Sequence, residues 1–354
     1  MCDVQNNEIR SMSGARTIPV AEAVGMVLAH DITEIRRDEF KGRAFRKGHI
    51  IKEEDINHLR KIGKEHLFVL NIAEDEVHED DAAYALANAL MGEGVTVEGE
   101  PKEGKINIIA DRDGLLKVNK HALTQFNMLG DVMCATLHGN TVVKRGQVVA
   151  GTRAIPLVVK RNVVEEAVRI TESAGKIIEI KEMRKPKIGV VITGNEVYYG
   201  RIKDAFATVI TKKIEQFDGG IVGIYYAPDD EGFIEARLKE LIEAGADLLI
   251  TTGGMSVDPD DVTRFAIRRL GAADIAYGSA VLPGAMFLAA YLTSIPILGI
   301  PACGMYHKIT IFDLILPRIL AGEKIGRKEL AELGHGGLCL NCKECRYPVC
   351  PFGK

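Results

Sequence analysis

Ile188-Gly189-Val190-Val191-Ile192, followed at once by Thr193-Gly194-Asn195-Glu196, decides the fold. The run carries no polar side chain, and a strand that is apolar on both faces belongs inside a sheet covered on both sides. Similar runs recur at Ile221 to Tyr226 and Leu248 to Thr251. Helical periodicity fills the spaces between and after them, over about Tyr199 to Phe217, Glu231 to Ala244 and Pro259 to Leu270. Strands alternating with helices predict an α/β fold, a parallel sheet with helices on both faces. Lys185-Pro186 reads as the linker into this unit and a helix around Lys308 to Leu320 as its close, which gives boundaries of 186–322. Ligands of such sheets bind beyond the carboxyl ends of the strands.

Outward from this unit the pattern changes. Residues 1–16 form an N-terminal tail, and 17–75 open with strand and turn signals and end in a helix from Glu53 to Ile62 closed by Gly63. Residues 76–185 begin at an acidic run, Glu74 to Asp81, ahead of a helix-like Ala82 to Met91. Acids before a helix are favoured by its dipole, so a solvated cap is the reading preferred over a cation site. Short strand-like pieces follow, from Ile106 to Val159, split by Asp113-Gly114, Gly139-Asn140 and Arg145-Gly146; they predict a mixed β segment. Residues 323–354 make a short Cys-rich tail.

Composition narrows the function. The 354 residues are 47% hydrophobic and 27% charged, with 36 Gly and 12 Pro, which excludes a disordered or collagenous chain. A formal charge of -4 and the lack of a Lys/Arg stripe argue against a nucleic-acid partner. The charge-free run from Tyr277 to Tyr306 is cut by Pro283, Pro296 and Pro301 into pieces shorter than the roughly 20 residues a membrane helix needs, so it is expected to be core. Met1 to Arg16 shows no secretory pattern, and a cytoplasmic location is expected.

The chemistry is expected at two strand ends, Thr193-Gly194-Asn195-Glu196 and Thr251-Thr252-Gly253-Gly254-Met255-Ser256. Both are small, hydroxyl- or glycine-rich turns that let backbone N–H groups approach a ligand, and both lead into helices whose N-termini favour anions. A phosphate can be held there without a lysine. Glu196 fits equally a ligand contact and the acid of the helix that follows. Asp258-Pro259-Asp260-Asp261 suits a cap, with Pro259 at the first helical position, yet carries more acids than a cap needs; Asp261 is the preferred cation holder. Cys303 reads as a small buried hydrophobe.

These residues carry a resemblance. Thr193 to Glu196, Thr252-Gly-Gly-Met-Ser-Val-Asp-Pro-Asp-Asp261-Val-Thr263, Leu282-Pro283-Gly284 and Gly299-Ile-Pro301 resemble the molybdopterin-binding domain of molybdenum cofactor biosynthesis proteins, found in molybdopterin adenylyltransferases and molybdotransferases. The resemblance covers about Lys187 to Ala321, and a looser one to the start of the molybdotransferases covers Thr17 to Leu70. It implies a pterin pocket at Thr193, Gly194 and Asn195, with Glu196 as the acidic contact. It implies a loop for the terminal phosphate at Thr252, Gly253, Gly254 and Ser256, and further pocket positions at Thr263, Pro283 and Gly284. Asp261 matches an aspartate of magnesium-dependent chemistry, so Glu196 and Asp261 are the implied catalytic pair. Molybdopterin with Mg2+, and ATP or molybdate as co-substrate, follow from the same likeness, as does a homo-oligomer. Asn195 stands where relatives have Asp, and Ile300-Pro301-Ala302-Cys303-Gly304 replaces their Leu-Pro-Gly-Asn-Pro. The likeness therefore supports a transferase of cofactor maturation, with a non-catalytic molybdopterin carrier or sensor serving a molybdoenzyme client as the alternative. Related domains in competence-associated hydrolases add nucleotide-pyrophosphate hydrolysis as a third reading.

Cys339-x2-Cys342-x2-Cys345-x4-Cys350-Pro351 places four thiols within twelve residues. In a reducing compartment that spacing points to metal rather than disulfides, either an iron–sulfur cluster or Zn2+ with His335 replacing one thiol.

Overall fold

The computed structural model describes residues 15–36, 40–70, 72–255, 258 and 261–354. They divide into two units, residues 1–137 with 143–180, and residues 138–142 with 181–354.

In the second unit β1 (Lys187–Thr193), β2 (Gly220–Ala227), β3 (Leu248–Thr252), β4 (Ala273–Tyr277), β5 (Leu288–Leu292) and β6 (Ile295–Ile300) form one sheet in the order β2-β1-β3-β6-β5-β4. β2, β1, β3 and β6 run parallel. β5 is antiparallel to both β6 and β4, so the sheet is mixed where the sequence predicted a parallel one. Chain length dictates the reversal: Thr293-Ser294 is a two-residue link, too short for a crossover, and Thr293 turns it at φ 55.

The helices are α1 (Asn195–Tyr198), α2 (Phe206–Glu215), α3 (Glu231–Glu243), α4 (Thr263–Arg269), α5 (Ile311–Leu320) and α6 (Arg327–Glu332). Alternation along the strands serves both faces. Ile188, Val190, Ile192, Leu248 and Ile250 pack with Phe206 and Ile210 of α2 and with α5, whereas Val191 and Leu249 pack with Ile234, Leu238 and Leu241 of α3 and with Ala266 of α4. The helix expected over Tyr199 to Phe217 starts only at Phe206, where Asp204 caps α2 by accepting the Phe206 and Ala207 amides at 2.8 and 3.0 Å. The run from Tyr277 to Tyr306 supplies β5 and β6 with the loops around them, and no helix among the described residues is long and apolar enough to cross a membrane.

In the first unit Val95–Lys102, Lys105–Ala110, Val148–Ala154 and Val132–Thr136 form a four-stranded antiparallel sheet. Helices Glu79–Leu90 and Arg161–Ser173 contribute Leu86, Leu90, Val164 and Ala167 to its core. The helices Lys120–Asn127 and Arg161–Ser173 were not anticipated for a β segment. Within 17–71, two antiparallel strand pairs and helix Glu53–Lys61 close around Ile18, Leu28, Ile32 and Leu59. The acidic run is only partly solvated: helix Glu79–Leu90 starts three residues earlier than expected, and Glu76 and Glu79 are buried, Glu76 against Lys160 at 2.9 Å.

Candidate functional site

The carboxyl ends of β1 and β3 meet at one point. Thr193 is buried there, and its hydroxyl donates to the Thr252 carbonyl at 2.9 Å while lying 3.0 Å from the Thr263 hydroxyl. Thr193 has one proton and the carbonyl takes it, so Thr263 donates the second bond. Gly253 and Gly254 turn away at φ 82 and 57. A Cβ on Gly253 would stand 2.4 Å from the Thr193 carbonyl oxygen, and one on Gly254 would stand 2.3 Å from the Thr263 hydroxyl. Only glycine permits so close an approach.

Strand order explains why a crevice opens here. From β1 the chain leaves toward β2 on one side, and from β3 it leaves toward β4, β5 and β6 on the other. Two neighbouring strands whose connections diverge define a switch point, the usual ligand crevice of an open α/β sheet. The Thr251 and Thr252 hydroxyls beside it are buried with no hydrogen-bond partner among the described residues. As neighbours on one strand they point to opposite faces of the sheet, Thr252 to the face of Ile250 and Thr251 to that of Leu249.

Glu196 is exposed and its carboxylate folds over Gly194, where a Cβ would lie 2.7 Å from Oε1. The Asn195 amide donates to the Asp229 carboxylate at 3.0 Å, and the Asp229 amide donates to Asn195 Oδ1 at 3.3 Å. Asn195 thus ties the β1 turn to the loop after β2, a task its amide oxygen performs without adding charge. Asp229 was missed in the sequence, although Ala227-Pro228-Asp229-Asp230 follows an apolar strand just as the other two turns do.

Asp261 accepts the Asp258 amide at 3.0 Å, and its own amide donates to the Asp258 carbonyl at 3.0 Å. This reciprocal pair closes a turn of its own, and α4 begins only at Thr263, not in the expected first turn at Pro259. Ser256, Pro259 and Asp260 lie outside the described residues.

Pro283 and Gly284 pack on the start of α5. The Pro283 carbonyl accepts the Ile311 amide at 3.3 Å, Ser279 Oγ donates to the Gly284 carbonyl at 3.0 Å, and a Cβ on Gly284 would meet Ile311 at 2.4 Å. Thr193, Thr252, Gly253, Gly254 and Thr263 are therefore gathered into one cluster, whereas Pro283 and Gly284 anchor a loop to α5.

Cys303 sits half-buried in a short turn after β6, and burial pushes its thiol up, away from the thiolate form. Among the described residues no three His, Cys, Asp or Glu side chains are gathered to hold a metal ion, so neither Asp261 nor the tail cysteines form a closed ligand set. Cys339, Cys342, Cys345 and Cys350 instead line the wall of a single cavity of about 510 Å³.

The first unit has a cavity of its own, about 360 Å³, lined by His30, Asp31, Phe68, Glu79 and Glu103 among others. Burial, and then the neighbouring Asp80, push the Glu79 carboxyl up to about 7; Arg153, 3.6 Å away, offsets part of this. Burial also lowers His30, whose buried Nδ1 has no hydrogen-bond partner among the described residues.

Residues 189–321 match the family described as "Probable molybdopterin binding domain", and residues 17–71 match "Domain of unknown function (DUF8806)". The chain is similar to a molybdopterin molybdenumtransferase of Haemophilus influenzae, 29% identical over 161 residues, which is 43% of this chain and 39% of that protein. It is also similar to a CinA-like protein of Mycobacterium avium, 34% identical over 83 residues, 23% of this chain and 19% of that one. The chain thus spans well under half the length of these relatives. Among solved structures, the molybdopterin biosynthesis moea protein of Pyrococcus horikosii aligns over 87% of this chain and 75% of that one, at 15% identity and a TM-score of 0.33. The molybdopterin biosynthesis enzyme MoaB of Thermus theromophilus aligns over 39% of this chain and 98% of that one, at 20% identity and a TM-score of 0.34. Residues 189–321 of the second unit are thus similar to the probable molybdopterin-binding domain of molybdenum cofactor biosynthesis proteins.

Proposed function

We propose that the crevice between β1 and β3 binds molybdopterin or its nucleotide form and supports a transferase-like step of molybdenum cofactor maturation. One observation carries this reading. Thr193 bonds to Thr252 and Thr263 at once, which draws two glycine turns together at the switch point of the sheet. The amides of Gly253 and Gly254 suit a terminal phosphate, and Thr193 and Gly194 suit the pterin edge. Glu196 contacts the ligand, and Asp261 lies on the loop where a magnesium ion would neutralise a triphosphate. Two group transfers fit such a cleft. In adenylyl transfer the terminal phosphate of molybdopterin attacks ATP and expels pyrophosphate; in molybdate insertion the two dithiolene thiols replace an oxo ligand of molybdate, which leaves with their protons as water.

Purified protein is given molybdopterin, followed separately by Mg-ATP or molybdate. Co-elution of pterin fluorescence with the protein, then an adenylylated product or protein-bound molybdenum, is expected. Absence of pterin binding would overturn the reading. A second reading, a non-catalytic carrier that hands the pterin to a molybdoenzyme client, is favoured by the Asp261 carboxylate being engaged with the Asp258 amide. It predicts tight pterin binding with neither product.

A further inference from the structure

The tail cysteines are held in an unusual piece of chain. Residues 339–354 contain no helix or strand, and Leu340 and Val349 stand 69% and 85% exposed, so the segment has little apolar burial of its own. Both of its ends are nevertheless fixed to the second unit. At the start, Leu338 bridges to Leu282, whose amide donates to Gly337 and whose carbonyl accepts from Cys339, each at 2.8 Å. At the finish, Phe352 is buried in the core that includes α5, and the Gly353 amide donates to the Gly336 carbonyl at 2.9 Å. The segment is thus a closed loop around a cavity. All four of its thiols are free.

The cavity wall says what the occupant is. Besides the four cysteines, its charged residues are Lys308, Lys343 and Arg346, with no acid among them. Four thiolates leave a net negative charge on a metal centre that they bind, and that lining offsets it. Four thiolates around one zinc ion, each about 2.3 Å from the metal, would sit roughly 3.8 Å apart. No three of the thiols are gathered to hold a single ion, yet all four face one cavity of about 510 Å³. The Cys-x2-Cys-x2-Cys-x4-Cys-Pro spacing, one residue longer before its last cysteine than the bacterial ferredoxin run, favours a polynuclear guest over a single ion.

We infer that Cys339, Cys342, Cys345 and Cys350 ligate an iron–sulfur cluster of the four-cysteine type, each thiol yielding its proton to solvent as it binds iron. Lys308, Lys343 and Arg346 offset the net negative charge that the four thiolates give the bound cluster. The assignment rests on residues outside the β1–β3 crevice, so it stands or falls separately from pterin binding.

The full chain is purified without oxygen and reconstituted with ferrous iron and sulfide, and iron, zinc and acid-labile sulfide are measured per chain. The expected result is iron and sulfide in equal amounts, about four of each for a cubane, with a broad visible absorption that bleaches on reduction. Cys342→Ala and Cys345→Ala, both at exposed positions, should lose most of the iron while keeping the wild-type circular dichroism, and Cys303→Ala should keep it all. One zinc per chain that iron does not displace, folded protein that takes up neither metal, or iron content unchanged in both tail variants would overturn the assignment.

Discussion

The Thr193 hydroxyl lies 3.0 Å from the Thr263 hydroxyl, and the two residues are seventy positions apart in the chain. One belongs to the end of a strand and the other to the first turn of α4, and both are buried. Replacing Thr193 by Val keeps the shape but leaves the Thr252 carbonyl and the Thr263 hydroxyl unpaired. A loss of about 1–3 kcal/mol is expected, whereas Thr193→Ser, which retains the donor, should lose much less. Thermal denaturation of the pair checks this, and equal losses would show that the hydroxyl is not what joins the turns.

Gly253→Ala and Gly245→Ala separate a clash from simple backbone strain. Both glycines have positive φ, 82 and 93, but only the Cβ at 253 meets backbone, while that at 245 meets nothing within 4 Å. Denaturant titration should show about 1–2 kcal/mol lost at 245 and about 3–5 kcal/mol at 253.

Glu196 offers a test of function without a stability penalty. It is exposed, so Glu196→Ala should alter stability by no more than about 0.5 kcal/mol while abolishing turnover. Asp261→Ala should abolish turnover as well, but with some loss of order in its loop because the Asp258 amide loses its acceptor. Wild-type turnover in both variants would refute the proposed pair.

Glu79 makes stability depend on pH. Its carboxyl is raised to about 7 from an ordinary 4.5, so the folded protein holds this proton more tightly than the unfolded chain does. The protonated form is compatible with burial below pH 4.5. As pH rises from 4.5 to 7 the folded state is progressively penalised, and above 7 the penalty is complete. Glu79→Gln removes it. The variant should match the wild type near pH 4.5 and exceed it above pH 7 by about 1–2 kcal/mol once solvent screening at the cavity is allowed for. Urea titrations at the two pH values decide the matter, and a constant difference would contradict it.

The core strands of the second unit were legible because Ile188 to Ile192 and Leu248 to Thr251 are apolar without interruption, a pattern that only a doubly covered strand tolerates. The glycine turns were legible for a similar reason, since Gly253 and Gly254 side by side after a strand signal left-handed backbone that other residues adopt only rarely. What escaped depended on partners far away in sequence. Asn195 and Asp229 are each ordinary polar residues until the fold sets them 3.0 Å apart. The reversed β5 was hidden inside an apolar run that looked uniform, although the two-residue Thr293-Ser294 link forces it. Helix Arg161–Ser173 was overlooked because strand-like pieces precede it, and Glu79 passed as one more surface acid within a run of six.

The backbone bridge between Leu282 and Leu338 bears on how this polypeptide tolerates shortening. A version ending at His335 would strip the amide and carbonyl of Leu282 of their partners and empty the slot that Phe352 fills beside α5. The last nineteen residues behave as a plug in the globule they close, and trimming them for expression would yield a protein that melts earlier and clumps more readily.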